Sequence, residues 1–443
     1  MTHTAALARY AAGLRWHDQP ASVQAEAQRA LLNWFGVALG GSTAPEHARI
    51  LATLGQPGGA WMAGHARRLE RGAAAVMNGL AASQDCFDDT HLATVIHPTA
   101  PVAAAALAAA AGRAVGGAEL LAAVIAGDEI ACRLGLALMG GPHPASLGWY
   151  MTGVVGTIGA AAAAGRVLGL TAAAMTSALG FAVAQAAGLR SAHASVMSPL
   201  VPGLAARNGL AAALLAEAGL TCHDGALEGP NGLLPTMAPG NPAAPLTEGL
   251  GARHAMLDLA YKPYPCGVAV HPAIDGCLAI LARARPAPEE IARIEVTVDP
   301  LAERLCLREE VASPFDAQVS IAHWCAATLV AGRAGVEQAR HVHDPAVVAL
   351  RRRVVAIPDA TLARDQARVA LVLRGGTRLE AAVEHATGSV ANPMDAAALR
   401  RKALDQAVPV LGVAAAARLL DRLDALPDLP DIAALLEAAT PGA

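Results

Sequence analysis

Lysine is almost absent from this chain: Lys262 and Lys402 are the only two among 33 basic residues, so arginine serves as the ordinary surface cation. Aromatic residues make up 3% and charged residues 16% of the 443 positions, while hydrophobic residues reach 54%. With Ala, Leu, Val and Gly dominant, that composition describes close-packed helices with small side chains at their contacts, and a surface partly buried in an oligomer. The seven cysteines are odd in number and scattered, with no Cys-x-x-Cys pair. That excludes a disulfide framework and a zinc site, and fits a reduced cytoplasm. A net charge of −4 and the lack of a basic run with interleaved aromatics exclude nucleic acid as a partner. Arg9, Arg15, Asp18, Glu26 and Arg29 break up the start of the chain, so no signal-peptide stretch is expected. Residues 98–112 and 154–170 are apolar, but they are built from Ala and Gly and are shorter than, or interrupted within, the roughly 20 residues a membrane span needs. They read as buried core helices, and no membrane is expected.

What is present changes character along the chain. From Ala5 to about Leu220 one apolar helical pattern follows another, separated by short Gly and Pro breaks, and residues 221–250 are loop-rich. Residues 291–298 then alternate as a strand should, with Ile294, Val296 and Val298 on one face. Val369, Leu371 and Leu373, then Gly375-Gly376, then Leu379, Ala381 and Val383 read as a hairpin. Helices are expected between these strands, at 320–332 and about 345–355, and again from Asp395 onward. The pattern predicts a mainly α protein. A large all-helical domain (1–258, completed by 395–443) is interrupted by a smaller inserted α+β domain (259–394).

Several segments carry chemistry. Lys262 lies in Ala-Tyr-Lys-Pro-Tyr-Pro-Cys-Gly, where Pro263 and Pro265 stiffen the backbone. An amine can give up its proton where a guanidinium cannot, and desolvation lowers its pKa. Lys402 is expected on an exposed helix face. Asp88-Asp89-Thr90-His91 followed by His97-Pro98 suggests acid–base work. The two carboxylates serve equally well as helix caps, which leaves His97 as the better chemical candidate. No His-x-x-x-His spacing recurs, so no metal is expected. Small residues from Gly148 to Ala160 allow either an anion at a helix N-terminus or plain tight packing. Of the four tyrosines, Tyr150, Tyr261 and Tyr264 fall in these candidate segments. Arg190 and Arg207 could clamp a carboxylate, Arg207 reading better as a solvated helix charge.

Taken together these residues resemble the MmgE/PrpD family, which includes 2-methylcitrate dehydratase, cis-aconitate decarboxylase and iminodisuccinate epimerase. The resemblance rests on Asn78-Gly79, Phe87 through His91 with His97-Pro98, Thr152-Gly153 through Ala161, Leu214 through Thr221, Lys262 through Cys266 with His271 and Asp275, and Gly388 with Asn392-Pro393. It implies a helical domain with a smaller lid, a homodimer, no metal or organic cofactor, and a small di- or tricarboxylate substrate. Departures from the family pattern accompany the matches. Ser83 and Cys86 stand where a His and an Asp are usual, Tyr150 where a His is usual, and Ser198 lies near the place of a second lysine. Asp85 sits beside Cys86 as a possible substitute.

Loss of these polar groups removes an obvious acid for a departing hydroxyl. The resemblance therefore points first to a cofactor-independent epimerase of the iminodisuccinate type. In that reading Lys262 and Tyr150, their pKa values lowered by mutual charge and burial, are the two bases, and His97 orients a carboxylate. Arg190, Asp89, Tyr264 and Thr152 are expected at the substrate. The alternative is a 2-methylcitrate dehydratase-like hydro-lyase in which His97 acts with Lys262. Decarboxylation ranks third, and a chain that binds a carboxylate without turnover is the reading from a different class.

Overall fold

The computed structural model describes residues 1–308 and 310–442, with the backbone alone at 192. Among these residues 56% are helical and about 10% are in strands, as a mainly α chain should be. Helices α1 (His3–Gly13), α2 (Ala21–Gly41), α3 (Pro45–Leu54), α4 (Arg71–Ser83) and α5 (Thr99–Ala109) are followed by α6 (Gly117–Met139), α7 (Met151–Val167), α8 (Ala172–Val183) and α9 (Met197–Glu217). They pack mainly through α4, α5, α7 and α9, and their apolar side chains form one large core. The packing is close because the side chains are small. A Cβ added to Gly79 on α4 would lie 2.7 Å from the Cα of Gly203 on α9, so the two helices cross backbone to backbone. The apolar runs at 98–112 and 154–170 are the buried helices α5 and α7. One other helix, α9, is long and apolar enough to cross a membrane, but here it is held against α4, α5, α7 and α8.

Residues 221–250 are mostly loop, with the short α10 (Leu233–Met237) inside them. A second core runs from Cys266 to Leu371. It is built from α11 (His271–Arg283), α12 (Pro300–Cys306), α13 (Pro314–Ala317), α14 (Ile321–Ala331), α15 (Val336–Arg340) and α16 (Pro345–Arg351) beside a four-stranded sheet. After two short strands earlier in the chain, β1 (Pro57–Ala60) and β2 (Asp89–His91), and β3 (Leu259–Tyr261), that sheet contains β4 (Ile291–Val298), β5 (Val354–Pro358), β6 (Ala367–Leu373) and β7 (Arg378–Val383) in the order β5-β4-β6-β7. Ile294, Val296 and Val298 are buried on one face, and β6–β7 is the expected hairpin. The helix expected over 345–355 stops at Arg351, because Val354, Val355 and Ile357 form a strand parallel to β4 with Val354 opposite Ile294. That partner lies about sixty residues away, where helical periodicity carries no information about it. The chain then returns through α17 (Ala396–Leu411), α18 (Val413–Asp424) and α19 (Ala433–Ala438), and α17 and α18 pack on α2.

The contact that positions the site is small. β2 and β3 pair antiparallel over three residues, with Asp89 opposite Tyr261 and His91 opposite Leu259. Continued by one residue, this register brings Asp88 to Lys262. On the far side of β3, Gly388 (φ 84°) accepts from Tyr261 N, and a Cβ there would lie 2.1 Å from Tyr261 O. Only glycine fits that position.

The core also stores a pH dependence. His47 on α3 is fully buried and stacks on His65 with ring centroids 5.3 Å apart. Neither His47 ring nitrogen completes a hydrogen bond among the described residues. Burial, then the neighbouring His65, pushes the His47 pKa down to about 4. The unfolded chain binds a proton below ~6.5 that the folded chain refuses until near pH 4, so stability falls as pH drops through that window. His47→Leu should remove ~2 kcal/mol of the stability lost between pH 7 and pH 5, read from urea unfolding at the two values. Equal pH slopes in the two proteins would refute this.

Candidate active site

The β2–β3 pairing sets a buried ion pair at the floor of a cleft between the two cores. Lys262 Nζ donates to Asp88 Oδ1 at 2.5 Å, with 1% of the lysine and 3% of the aspartate exposed. Ser83 Oγ, at the end of α4, donates to Asp88 Oδ2 at 2.9 Å. Lys262 Nζ also lies 3.5 Å from Cys86 Sγ and 3.5 Å from His97 Nδ1. Cys86 itself is held at φ 51°, a left-handed conformation that a side chain rarely adopts, at the bend between α4 and β2. Asp88, Ser83, Cys86 and His97 face the cleft, whose unfilled space is roughly 960 Å³ with open solvent included. Lys262 sits behind Asp88.

Charge in this cluster runs opposite to the sequence-based expectation. Burial lowers the Lys262 pKa, but the charge of Asp88 and the hydrogen bond to it outweigh burial and raise the amine above its ordinary value. Burial pushes Asp88 up, yet neighbouring positive charge and the hydrogen bonds from Lys262 and Ser83 hold it below the usual carboxylate range. His97 is pushed down to about 4 by burial, with Asp88 opposing and Lys262 reinforcing. Near pH 7 His97 is therefore neutral, and Lys262 and Ser83 are what sustain the Asp88 charge. Tyr150 moves upward as well, from burial and then the negative charge of Asp88. The expectation of an amine and a phenol with lowered pKa values is overturned, because Asp88 raises the amine, and burial first and Asp88 second raise the phenol.

The tautomer of His97 follows from its contacts. Nδ1 lies 3.0 Å from Asp89 O, a group that only accepts, so Nδ1 carries the proton and the 3.5 Å approach to Lys262 is a contact between two donors. Thr90 Oγ1 lies 2.9 Å from the same nitrogen. The backbone N–H of His97 donates to Thr152 Oγ1 at 3.0 Å, fixing the loop before α5. Nε2 is left with its lone pair for a substrate.

A second group forms the wall. Trp149 and Leu189 pair as an antiparallel bridge: Tyr150 N donates to Gly188 O at 3.0 Å, and Arg190 N donates to Gly148 O at 2.8 Å. This bridge carries Tyr150 and Arg190 to one side of the cleft. His193, three residues on, meets Tyr150 edge-to-face at 4.5 Å and also lines the cleft. Burial, then Arg190 and His97, lowers the His193 pKa to about 4. Arg190 Nε and His193 Nε2 are both buried without a hydrogen-bond partner among the described residues. Two unsatisfied polar groups beside a cleft indicate a ligand that satisfies them, and a guanidinium selects an anion. Val268, Leu305 and Phe315 also line the cleft.

Other sequence candidates have structural places. Asp89 is fully buried beneath α5 and accepts from Thr99 Oγ1 at 2.9 Å and from Thr99 N at 3.4 Å, a cap that does not line the cleft. Tyr264 is turned to Asp275, to which its hydroxyl donates at 2.5 Å, and Tyr261 donates to Glu26 at 2.6 Å. Both are braces. Thr152 holds His97 from behind, Asp85 does not line the cleft, and Arg207 is exposed. The small residues of α7 serve packing: a Cβ on Gly153 would lie 2.2 Å from Ala187 O, and one on Gly159 would lie 2.6 Å from Gly127 O. Lys402, expected on a helix surface, is buried. His193 was missed because a histidine three residues after an arginine in an irregular segment carries no pattern of its own.

Known proteins are similar to this chain along most of its length. Cis-aconitate decarboxylase of Aspergillus terreus is 27% identical over 467 residues, covering 98% of this chain and 95% of that protein. Human cis-aconitate decarboxylase is 33% identical over 213 residues, 47% of this chain and 44% of its own length. The Aspergillus oryzae cis-aconitate decarboxylase-like protein oryM is 34% identical over 227 residues, 49% of this chain and 47% of its own length. The model of the MmgE/PrpD N-terminal domain matches residues 5–246, and that of the C-terminal domain matches residues 264–426. Between them these matches take in nearly every residue of the helical bundle and of the second core, and the chain belongs to the MmgE/PrpD family.

Proposed function

We propose that this chain is a lyase of small di- or tricarboxylates, removing carbon dioxide or water from a carbon next to a carboxylate. The observation that carries the reading is the Lys262–Asp88 ion pair with neutral His97 in reach of both. It supplies a fixed cation and proton donor beside an unprotonated imidazole. Elimination of water breaks the Cα–H and Cβ–O bonds: neutral His97 Nε2 takes the α-proton, and the electron pair forms the double bond. The imidazolium hands its proton to the departing hydroxyl while the Lys262 charge, from behind Asp88, steadies the negative charge that develops. Decarboxylation uses the Lys262 charge, acting from behind Asp88, to steady the carbanion, and a protonated group on the cleft wall, Tyr150, to return a proton to it. The full-length similarity to cis-aconitate decarboxylase supports a lyase over an isomerase.

Proton exchange by an epimerase is the second reading, favoured by Tyr150 on the cleft wall. It is the weaker one, since a two-base exchange needs one of its groups deprotonated and both Tyr150 and Lys262 hold their protons.

The same proposal takes residues 259–394 as a lid on the helical domain formed by 1–258 and 395–443, and the protein as a homodimer. Support for the lid comes from the separate second core and from Arg364, whose guanidinium donates to Ala93 O at 2.8 Å across the cleft. Proton NMR in D₂O with cis-aconitate, citrate, 2-methylcitrate and iminodisuccinate tests the reaction class. New or altered vinyl signals support a lyase. Loss of an α-proton signal without them would replace it with the epimerase.

Arg190 is assigned to a substrate carboxylate. Arg190→Met should raise KM by ~30- to 300-fold, equivalent to ~2–3 kcal/mol for a charge-assisted pair, with a smaller change in kcat. An unchanged KM would remove Arg190 from the substrate.

A further inference from the structure

The second lysine is as unusual as the first. Lys402 lies on α17, between Arg400 and Arg401 on one side and the core on the other, and is 7% exposed. Its amine donates to Asn33 Oδ1 at 2.7 Å, to Phe87 O at 2.7 Å and to Lys262 O at 2.9 Å. It also sits 3.9 Å above the centre of the Phe87 ring. Two of those three acceptors are backbone carbonyls of the catalytic segments: Phe87 directly precedes Asp88, and the other belongs to Lys262 itself. Burial and then the Lys262 charge lower the Lys402 pKa well below its ordinary value, yet three oxygens converge on its nitrogen, and only the three N–H groups of the protonated amine satisfy them all. A lysine ammonium has three N–H groups on one atom, whereas the guanidinium of arginine spreads its donors across a plane. In a chain that otherwise uses arginine, the geometry explains why lysine stands here.

We propose that Lys402 is a positioning residue for the reaction, an ammonium clamp that holds the Phe87–Asp88 and Lys262 backbones at the separation their ion pair requires. Neither segment is held across this gap by a long ladder, since β2 and β3 pair over only three residues and stop before Asp88 and Lys262. The clamp supplies the missing cross-link from α17, with Asn33 on α2 as its fixed anchor. Lys402 does not line the cleft and touches no substrate. Its effect passes through the placement of Lys262 and Asp88. Small displacements of a catalytic group cost large factors in rate, so loss of the clamp lowers kcat while the Arg190 side of the cleft still binds.

This inference rests on the proposed role of Lys262, and a test independent of turnover exists because the chain has only two lysines. With lysine labelled by ¹³C and ¹⁵N, the side-chain ammonium spectrum contains one signal for Lys262 and one for Lys402. In Lys402→Met, which keeps the stem and removes the charge, the remaining Lys262 signal should move from its wild-type position. The kcat should fall ~10- to 100-fold with KM within about threefold, in protein shown to be folded by its circular dichroism and melting curve. Asn33→Ala is the milder variant should Lys402→Met not fold; it should move the Lys262 signal in the same direction and lower kcat several-fold. A Lys262 signal unmoved in the folded variant, or a lowered melting temperature with kcat intact, would make Lys402 a purely structural residue and overturn the proposal. If the wild-type protein turns over none of the acids, the lyase reading fails while the spectrum still decides the clamp.

Discussion

Lys262→Met should abolish turnover, lowering kcat by ~10³-fold or more, and should also destabilise the protein by ~3–5 kcal/mol at pH 7. Both effects come from the ion pair. Asp88 is 3% exposed, and with the amine gone its charge would rest on the Ser83 hydroxyl and whatever proton His97 could be made to accept. An unpaired buried carboxylate raises its pKa until it takes up a proton. The sign of the pH dependence then reverses. In the wild type the carboxyl is held below its unfolded value, which favours folding at neutral pH and is lost in acid. In the variant its folded pKa lies above the unfolded one, so the penalty shrinks as pH falls and the proton binds. Lys262→Met combined with Asp88→Asn should recover most of the stability, because no buried charge remains, and none of the activity. Urea unfolding at pH 5 and pH 8 with steady-state kinetics separates the two effects. Activity within tenfold of wild type in the single variant would remove Lys262 from the chemistry. Equal stability of the single and double variants would mean Asp88 is not its partner.

Lys262 stood out because its amine is so rare in this composition and lies in an apolar, aromatic segment, but the direction of its pKa was not legible. Desolvation and ion pairing act in opposite directions on a buried lysine, and only the fold says which wins. Here the deciding contact is Asp88, brought across by a three-residue ladder, β2–β3, too short to leave an alternating pattern. Asp88 and Asp89 looked alike in sequence, and the pleat separates them. Successive side chains in a strand point to opposite sides, so one carboxylate meets the cleft and the other caps α5. The hairpin β6–β7 was readable from Val369, Leu371 and Leu373 around its glycines because a hairpin is local. The parallel strand β5 and the buried place of Lys402 were not, since both depend on partners far away in the chain. Aromatic scarcity singled out Tyr261 and Tyr264, and their carboxylate partners were not readable from the sequence. Each donates its hydroxyl to a carboxylate, Tyr261 to Glu26 and Tyr264 to Asp275.

His97→Gln should lower kcat by ~10²- to 10⁴-fold for an eliminating enzyme, the range spanned by loss of a positioned general base. The wild-type pH profile should carry the signature of the group removed. An ordinary histidine loses half its basic form near pH 6.5, so a free-enzyme profile governed by one would already bend there. His97 is held to about 4 by burial, by the Lys262 charge and against the pull of Asp88. After correction for the titration of the substrate, kcat/KM should therefore stay level from pH 8 down to about pH 5 and fall only as the imidazole protonates near 4. On the alkaline side the raised Lys262 pKa keeps the cation in place, so the plateau should extend above pH 9. Asp88→Asn moves both edges in predictable directions. Removing the carboxylate takes away the charge that opposes the fall of His97 and the charge that raises Lys262, so the acid limb shifts lower and the alkaline limb shifts down towards neutrality. The plateau should slide to lower pH as a unit, at reduced height. A wild-type acid limb at the ordinary histidine value, or alkaline limbs that coincide in wild type and Asp88→Asn, would show that Asp88 does not set the protonation of the pair. A decarboxylase that needs no base would keep the alkaline limb and lose much less than ~10² on His97→Gln, so the same variant separates the two lyase chemistries.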